Sequence, residues 1–177
     1  NTPTDESASP GTGTSLREAL DLANAAPGKQ TIGFSAPMTI NLDSGLGALP
    51  EISSEVDIVA NGTASVNGLA LLDNYDCLRV SNGVVTLAGL ELSHCYNGIQ
   101  IISSGSASPK ATVRDCFLHH NGQDGILVLN QPNQIIGPGN EASFNTAVGI
   151  VVYGAASSSF WIRGNYTHDN VEAGIVL

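Results

Sequence analysis

Apolar residues in the second half of the chain follow two superimposed periods. Within short runs they alternate, as in Ile126 and Val128, Ile150 and Val152, and Ile175 and Leu177, the two-residue period of a strand with one buried face. Across runs the whole pattern returns, because Gly98-Ile99, Gly125-Ile126, Gly149-Ile150 and Gly174-Ile175 succeed one another at intervals of 27, 24 and 25 residues. Self-similarity at that spacing marks a solenoid rather than a globule with one central core. Counting back from the last three glycines, the fourth residue is Asn121, Asn145 and Asn170, the seventh is Leu118, Ala142 and Thr167, and the ninth is Cys116, Asn140 and Asn165. The asparagines read as stacked turn positions, since Asn tolerates left-handed backbone angles and its amide can bond to the copies above and below.

An earlier copy, Leu87 to Ile101, matches with one residue fewer before its glycine, and places Leu90, Leu92 and Cys95 where Cys116, Leu118 and Asn121 fall later. One coil earlier still, Tyr75 to Val80 takes the place of Tyr96 to Ile101, with Val66, Leu69, Leu78 and Val80 expected to point inward. Each coil then carries two or three short strands between tight bends, pairing in parallel about 4.8 Å from the next. No Leu-x-x-Leu-x-Leu ladder fills the interval, and a propeller blade needs about 40 residues. The expected fold is all-β, a right-handed parallel β-helix. Its repeats, with asparagine, hydrophobe, asparagine and Gly-Ile-x-Val in order, resemble those of the pectate-lyase-like superfamily. That resemblance bears on fold far more than on activity.

Only one stretch has a helical pattern. Ser15 followed by Glu18 is a capping box, Leu16, Ala19, Leu20 and Ala23 line one face, and Pro27-Gly28 stops the run. Such a helix is expected to lie over the first coil and cover its apolar mouth. Ser15-Leu16-Arg17-Glu18-Ala19, Ala23-Asn24, Pro27-Gly28, Thr31-Ile32 and Phe34 resemble the N-terminal module named for its Cys-Ser-Leu-Arg-Glu-Ala sequence, with Thr14 in place of the leading Cys. The resemblance implies a β-helix of a large secreted or surface-displayed bacterial protein, and it brings no catalytic residue. The expected organisation is an extended, weakly ordered lead-in over 1–13, cap helix and irregular first coils over 14–60, and regular coils over 61–177. Leu177 falls at an inward position with no closing element after it, which points to a longer parent protein or to self-association through an uncapped C-terminal end.

Composition narrows the function. Six basic against 16 acidic residues give a net charge of -10, which excludes a nucleic-acid partner and disfavours polyanionic glycans unless a divalent cation intervenes. No apolar run approaches the ~20 residues of a membrane span. The three cysteines, Cys77, Cys95 and Cys116, sit at different coil positions, so no disulfide pair is assured and three small buried thiols are expected. No level of the stack gathers His or Cys, and no metal site or cofactor is expected.

Function on such a scaffold belongs to outward side chains aligned across coils. The sixth residue before each glycine gives His119, Ser143 and His168, with Ser93 earlier, and the two histidines lie two coils apart, near 10 Å. The eleventh gives Arg114, Pro138 and Arg163, a short basic stripe. A polysaccharide lyase would use an Arg base beside carboxylates holding calcium, for which Arg114 with Asp115, or Arg163 with Asp169, comes nearest. A hydrolase needs two carboxylates about 5 to 9.5 Å apart, for which Asp124 and Glu141 are candidates. The plain reading of all these groups is solvated surface charge, and His94, His119 and His120 read as turn or surface histidines. Trp161, next to inward Ile162, should point outward as a glycan or protein contact, or else pack under the loop 155–159. The expected role is structural or adhesive, with a polysaccharide or surface protein as partner; a polysaccharide-active enzyme is the alternative.

Overall fold

In a computed structural model of the chain, which describes residues 2–6, 13–69, 75–103, 108–154 and 160–177, the strands form a parallel solenoid. Helix α1 (Leu16–Ala25) precedes β1 (Gln30–Gly33), β2 (Met38–Asn41), β3 (Val56–Asn67), β4 (Leu78–Val80), β5 (Val84–Ser93), β6 (Ile99–Ile102), β7 (Lys110–Arg114) and β8 (Phe117–His119). Then come β9 (Ile126–Leu129), β10 (Ile135–Ile136), β11 (Glu141–Ser143), β12 (Val148–Tyr153), β13 (Trp161–Ile162), β14 (Tyr166–His168) and β15 (Ala173–Val176).

Three faces run along the axis. The first is built from β1, the N-terminal halves of β3 and β5, then β7, β10 and β13. The second continues through β2, the C-terminal halves of β3 and β5, then β8, β11 and β14. The third is β4, β6, β9, β12 and β15. The expected register holds: Leu92, Leu118, Ala142 and Thr167 are stacked partners on the second face, and Ile99, Ile126, Ile150 and Ile175 on the third. Inward residues of all three faces merge into one continuous core from Leu16 to Val152.

The recurring glycine has a steric reason. A β-carbon at Gly98, Gly125 or Gly149 would lie 2.6, 2.5 or 2.7 Å from the carbonyl oxygen of the glycine one coil on, so only glycine lets these corners stack. The asparagines do form amide ladders. Asn121 Nδ2 donates to Asn145 Oδ1 and Asn145 Nδ2 to Asn170 Oδ1, each at 2.9 Å, and Asn140 Nδ2 donates to Asn165 Oδ1 at 2.9 Å. None of them is left-handed, contrary to expectation. The positive φ belongs to the residue before each asparagine, which frees the asparagine to keep a strand-like backbone and present its amide.

The helix seals the first coil as its pattern implies. The Ser15 and Glu18 capping box is complete, and Leu16, Leu20 and Ala23 join the core. Arg17 is also buried. Its Nε and Nη2 bind both oxygens of Asp5 at 2.9 Å, and it donates to the carbonyls of Gly47 and Ala48. In the described part of the lead-in Asp5 bonds to the helix and to the Asp43 amide, and the Glu6 carbonyl accepts a bond from the Ser15 hydroxyl. Residues 7–12 lie outside the described set.

Two further expectations are corrected. Leu69 is 62% exposed, because β3 has ended at Asn67 and its backbone turns outward through a bond to the Asn67 side chain. Cys77 and Cys95 form a disulfide across a Cα separation of 5.4 Å. They occupy different coil positions, but these positions touch: β-carbons built at Gly98 and Gly125 would each lie 3.2 Å from the side chain of the next coil's Asn121 and Asn145. Cys77 stands at the glycine position and Cys95 at the asparagine position of the following coil, so a cysteine at each bridges them. Cys116 is free and buried, as expected.

Candidate functional site

Two series of left-handed corners run along the solenoid, and they differ in what they display. Between the first and second faces the positive-φ residues are Asn61, Gly62, Gly89, Asp115, Gly137, Gly139 and Gly164 (φ 51, 73, 67, 55, 113, 80 and 62°), residue types that accept this conformation cheaply. Between the second and third faces they are His94, His120, Phe144 and Asp169 (φ 56, 55, 54 and 53°). A phenylalanine there is costly by roughly 1–3 kcal/mol. The fold asks only for the angle, so the ring at Phe144 answers to something other than chain direction.

These corner residues join outward side chains of the second face. One outward row reads Glu91, Phe117, Glu141, Tyr166, and the next reads Ser93, His119, Ser143, His168, both fixed by the strand register. Acid alternates with aromatic, and serine with histidine, from coil to coil. The His94 and His120 rings stack at 5.5 Å and the His120 and Phe144 rings at 5.2 Å, a column parallel to the axis. Phe117 stacks on His119 at 4.1 Å, Tyr166 leans on His168 at 4.5 Å, and Phe144 meets His168 edge-on at 5.7 Å. Phe144 and Tyr166 are 49% and 63% exposed, so this is a displayed surface. Beneath it Ser143 is fully buried, and its hydroxyl has no hydrogen-bond partner among the described residues.

The histidines hold the acids in place. His119 Nε2 lies 3.0 Å from Glu91 Oε1, and its Nδ1 lies 2.8 Å from His120 Nδ1, so one nitrogen of that pair donates and the other accepts. His168 sits between two carboxylates, with Nδ1 2.7 Å from Asp169 and Nε2 3.2 Å from Glu141, and these bonds, Asp169 first, raise its pKa. Burial pushes His94 the other way, with the charges of His120 and His119 adding to the effect. The surface therefore carries carboxyl groups, each about half-exposed, between aromatic rings.

A family model describing the right-handed β-helix region matches residues 55–177. The chain belongs to the right-handed β-helix family. Neither curated proteins nor solved structures gave a match. The matched span contains every residue of the ladder above.

Within this β-helix Glu141, Asp169, His119 and His168, singled out from sequence, lie in the ladder, whereas Arg114, Arg163 and Asp124 are engaged elsewhere. Arg114 binds its neighbour Asp115 at 2.7 Å on the exposed surface. Arg163 does not pair with Asp169; its guanidinium lies 5.0 Å from the centre of the outward Trp161 ring, while Asp169 is taken by His168. The rung between the two arginines is Gly137 rather than Pro138, because the stretch from Gly137 to Glu141 holds one extra residue. Asp124 and Glu141 do not form an acid pair. Asp124 is buried in the turn before β9, where desolvation raises its pKa and its Oδ1 accepts the Val148 N–H at 2.9 Å, whereas Glu141 sits on the outer face of β11. His119 and His168 lie on the same outward row with Ser143 between, as expected. Trp161 is 56% exposed as alternation requires; the loop 155–159 offered as its cover lies outside the described residues. Phe117, Phe144 and Glu91 were not foreseen, although the signal is present. The eighth residue before each glycine is Phe117, Glu141 and Tyr166, and the fifth is His120, Phe144 and Asp169.

Proposed function

We propose that this β-helix is a secreted or cell-surface glycan-binding protein, whose contact surface is the ladder of rings and acids on the second face and its following corner. One observation carries the reading: aromatic side chains aligned on consecutive coils at a corner where Phe144 is held in a backbone conformation it disfavours. The half-exposed rings offer apolar surface to the C–H groups of a pyranose, and the flanking carboxylates and imidazoles offer hydroxyl partners. The Cys77–Cys95 disulfide supports an oxidising compartment, as does the resemblance of the Ser15 to Ala19 segment to modules of exported proteins. A pectate-lyase-like enzyme has less to rest on, because the arginines and carboxylates it would need are engaged separately rather than around one point.

Phe144→Asn tests this directly. Asparagine accepts the left-handed angle, so thermal stability should hold or rise, while retardation in gels containing entrapped polysaccharides should fall markedly. A variant that binds like the parent, or that loses stability with binding, removes the argument from strain.

A further inference from the structure

The charge pattern of the ladder selects among glycans, and the inference rests on the glycan-binding reading above. Glu91, Glu141 and Asp169 contribute three carboxylates, with side chains 49%, 45% and 61% exposed. Each commits one oxygen to a histidine. The ring of His168 lies between Glu141 and Asp169, and the whole chain carries a net charge of -10. A polyuronate meets repulsion both locally and at long range. An amine-bearing sugar meets carboxylates, with the exposed apolar surface of Phe144 and Tyr166 beside them.

Spacing adds a second constraint. Glu91 and Glu141 are two rungs apart on the same row, with Phe117 between them, and Phe117 and Tyr166 are likewise two rungs apart with Glu141 between. Like groups thus recur about every 10 Å along the axis. A β-1,4-linked glycan flips alternate sugars and so presents the same edge every second unit, a comparable repeat. Ser143, on the outward row between His119 and His168, keeps an unpaired hydroxyl beneath this same stretch.

We propose that the ladder binds a β-1,4-linked amino-sugar polymer with free amino groups, lying along the solenoid axis, with acid and ring subsites alternating coil by coil.

The test titrates the intact protein with a β-1,4-glucosamine hexamer, its fully N-acetylated counterpart, a galacturonate hexamer and oligolysine of equal charge. At low salt the glucosamine hexamer should bind about tenfold tighter than the N-acetylated one, and the gap should close at high salt because screening removes the ionic contribution. Glu91→Gln and Glu141→Gln should each reduce the amine preference, narrowing the gap between the glucosamine and N-acetylated hexamers. The proposal is overturned if the galacturonate hexamer binds as well, if the preference is independent of salt, or if oligolysine matches the glucosamine hexamer. Equal binding of both glucosamine forms would overturn the amine preference and leave the glycan reading standing, whereas no binding of any glycan would end both.

Discussion

His94 and His168 sit some three coils apart on the same displayed surface, yet their surroundings move their titration in opposite directions. His168 is raised by Asp169 and then Glu141, so its share of stability is complete below the ordinary histidine value near 6.5 and is lost as pH climbs through its raised folded value. His94 is lowered, first by burial and then by His120 and His119. Its neutral ring is accommodated above 6.5, and stability falls as pH drops from there through the lowered folded value. His94→Asn keeps a residue that tolerates φ 56° and removes the titrating ring. Urea midpoints between about pH 5 and 8 should therefore decline less on the acid side in the variant than in the parent. Parallel declines would place the acid sensitivity elsewhere.

At the scale of elements, the asparagine ladder is what keeps neighbouring corners in register. Asn145 is fully buried and accepts from the Asn121 backbone N–H at 3.2 Å and its Nδ2 at 2.9 Å, while its own Nδ2 reaches Leu118 O and Asn170 Oδ1. Asn145→Ala strands these partners without water, and a loss of about 3 kcal/mol is expected from chemical denaturation. A loss below about 1 kcal/mol would mean that the ladder decorates the corner rather than holding it. These elements were legible in the sequence for a physical reason. Strand alternation, the close-approach glycine and the amide ladder each demand one residue type, so they repeat visibly. The display corner demands only a backbone angle. His94, His120, Phe144 and Asp169 share that angle and no chemistry, so a search for recurring residue types passes over them. The disulfide was hidden for a related reason: it joins non-equivalent positions of consecutive coils, which touch in space without aligning in the repeat.

The molecule as a whole is one continuous core running along a single axis, covered over its first coil by α1 and the Asp5–Arg17 pair and cross-linked near that coil by the disulfide. The Cys77–Cys95 bridge spans 18 residues and should contribute about 3 kcal/mol by restricting the unfolded chain. Cys77→Ala with Cys95→Ala should lower the denaturation midpoint accordingly. Cys116, whose thiol burial pushes up to about 11, should stay unmodified by alkylating reagents until the fold opens. Rapid alkylation of Cys116 in the native protein would contradict the continuous core.

The central claim, that one displayed ladder makes the contact with glycan, is tested most directly by hydroxyl-radical footprinting with and without a saturating β-1,4-glucosamine hexamer. Phe117, His120, Phe144 and Tyr166 should be protected together, while Trp161 and Tyr153, exposed on other faces, keep their labelling. Protection centred on Trp161 or Tyr153, with the four ladder rings unchanged, would contradict the account.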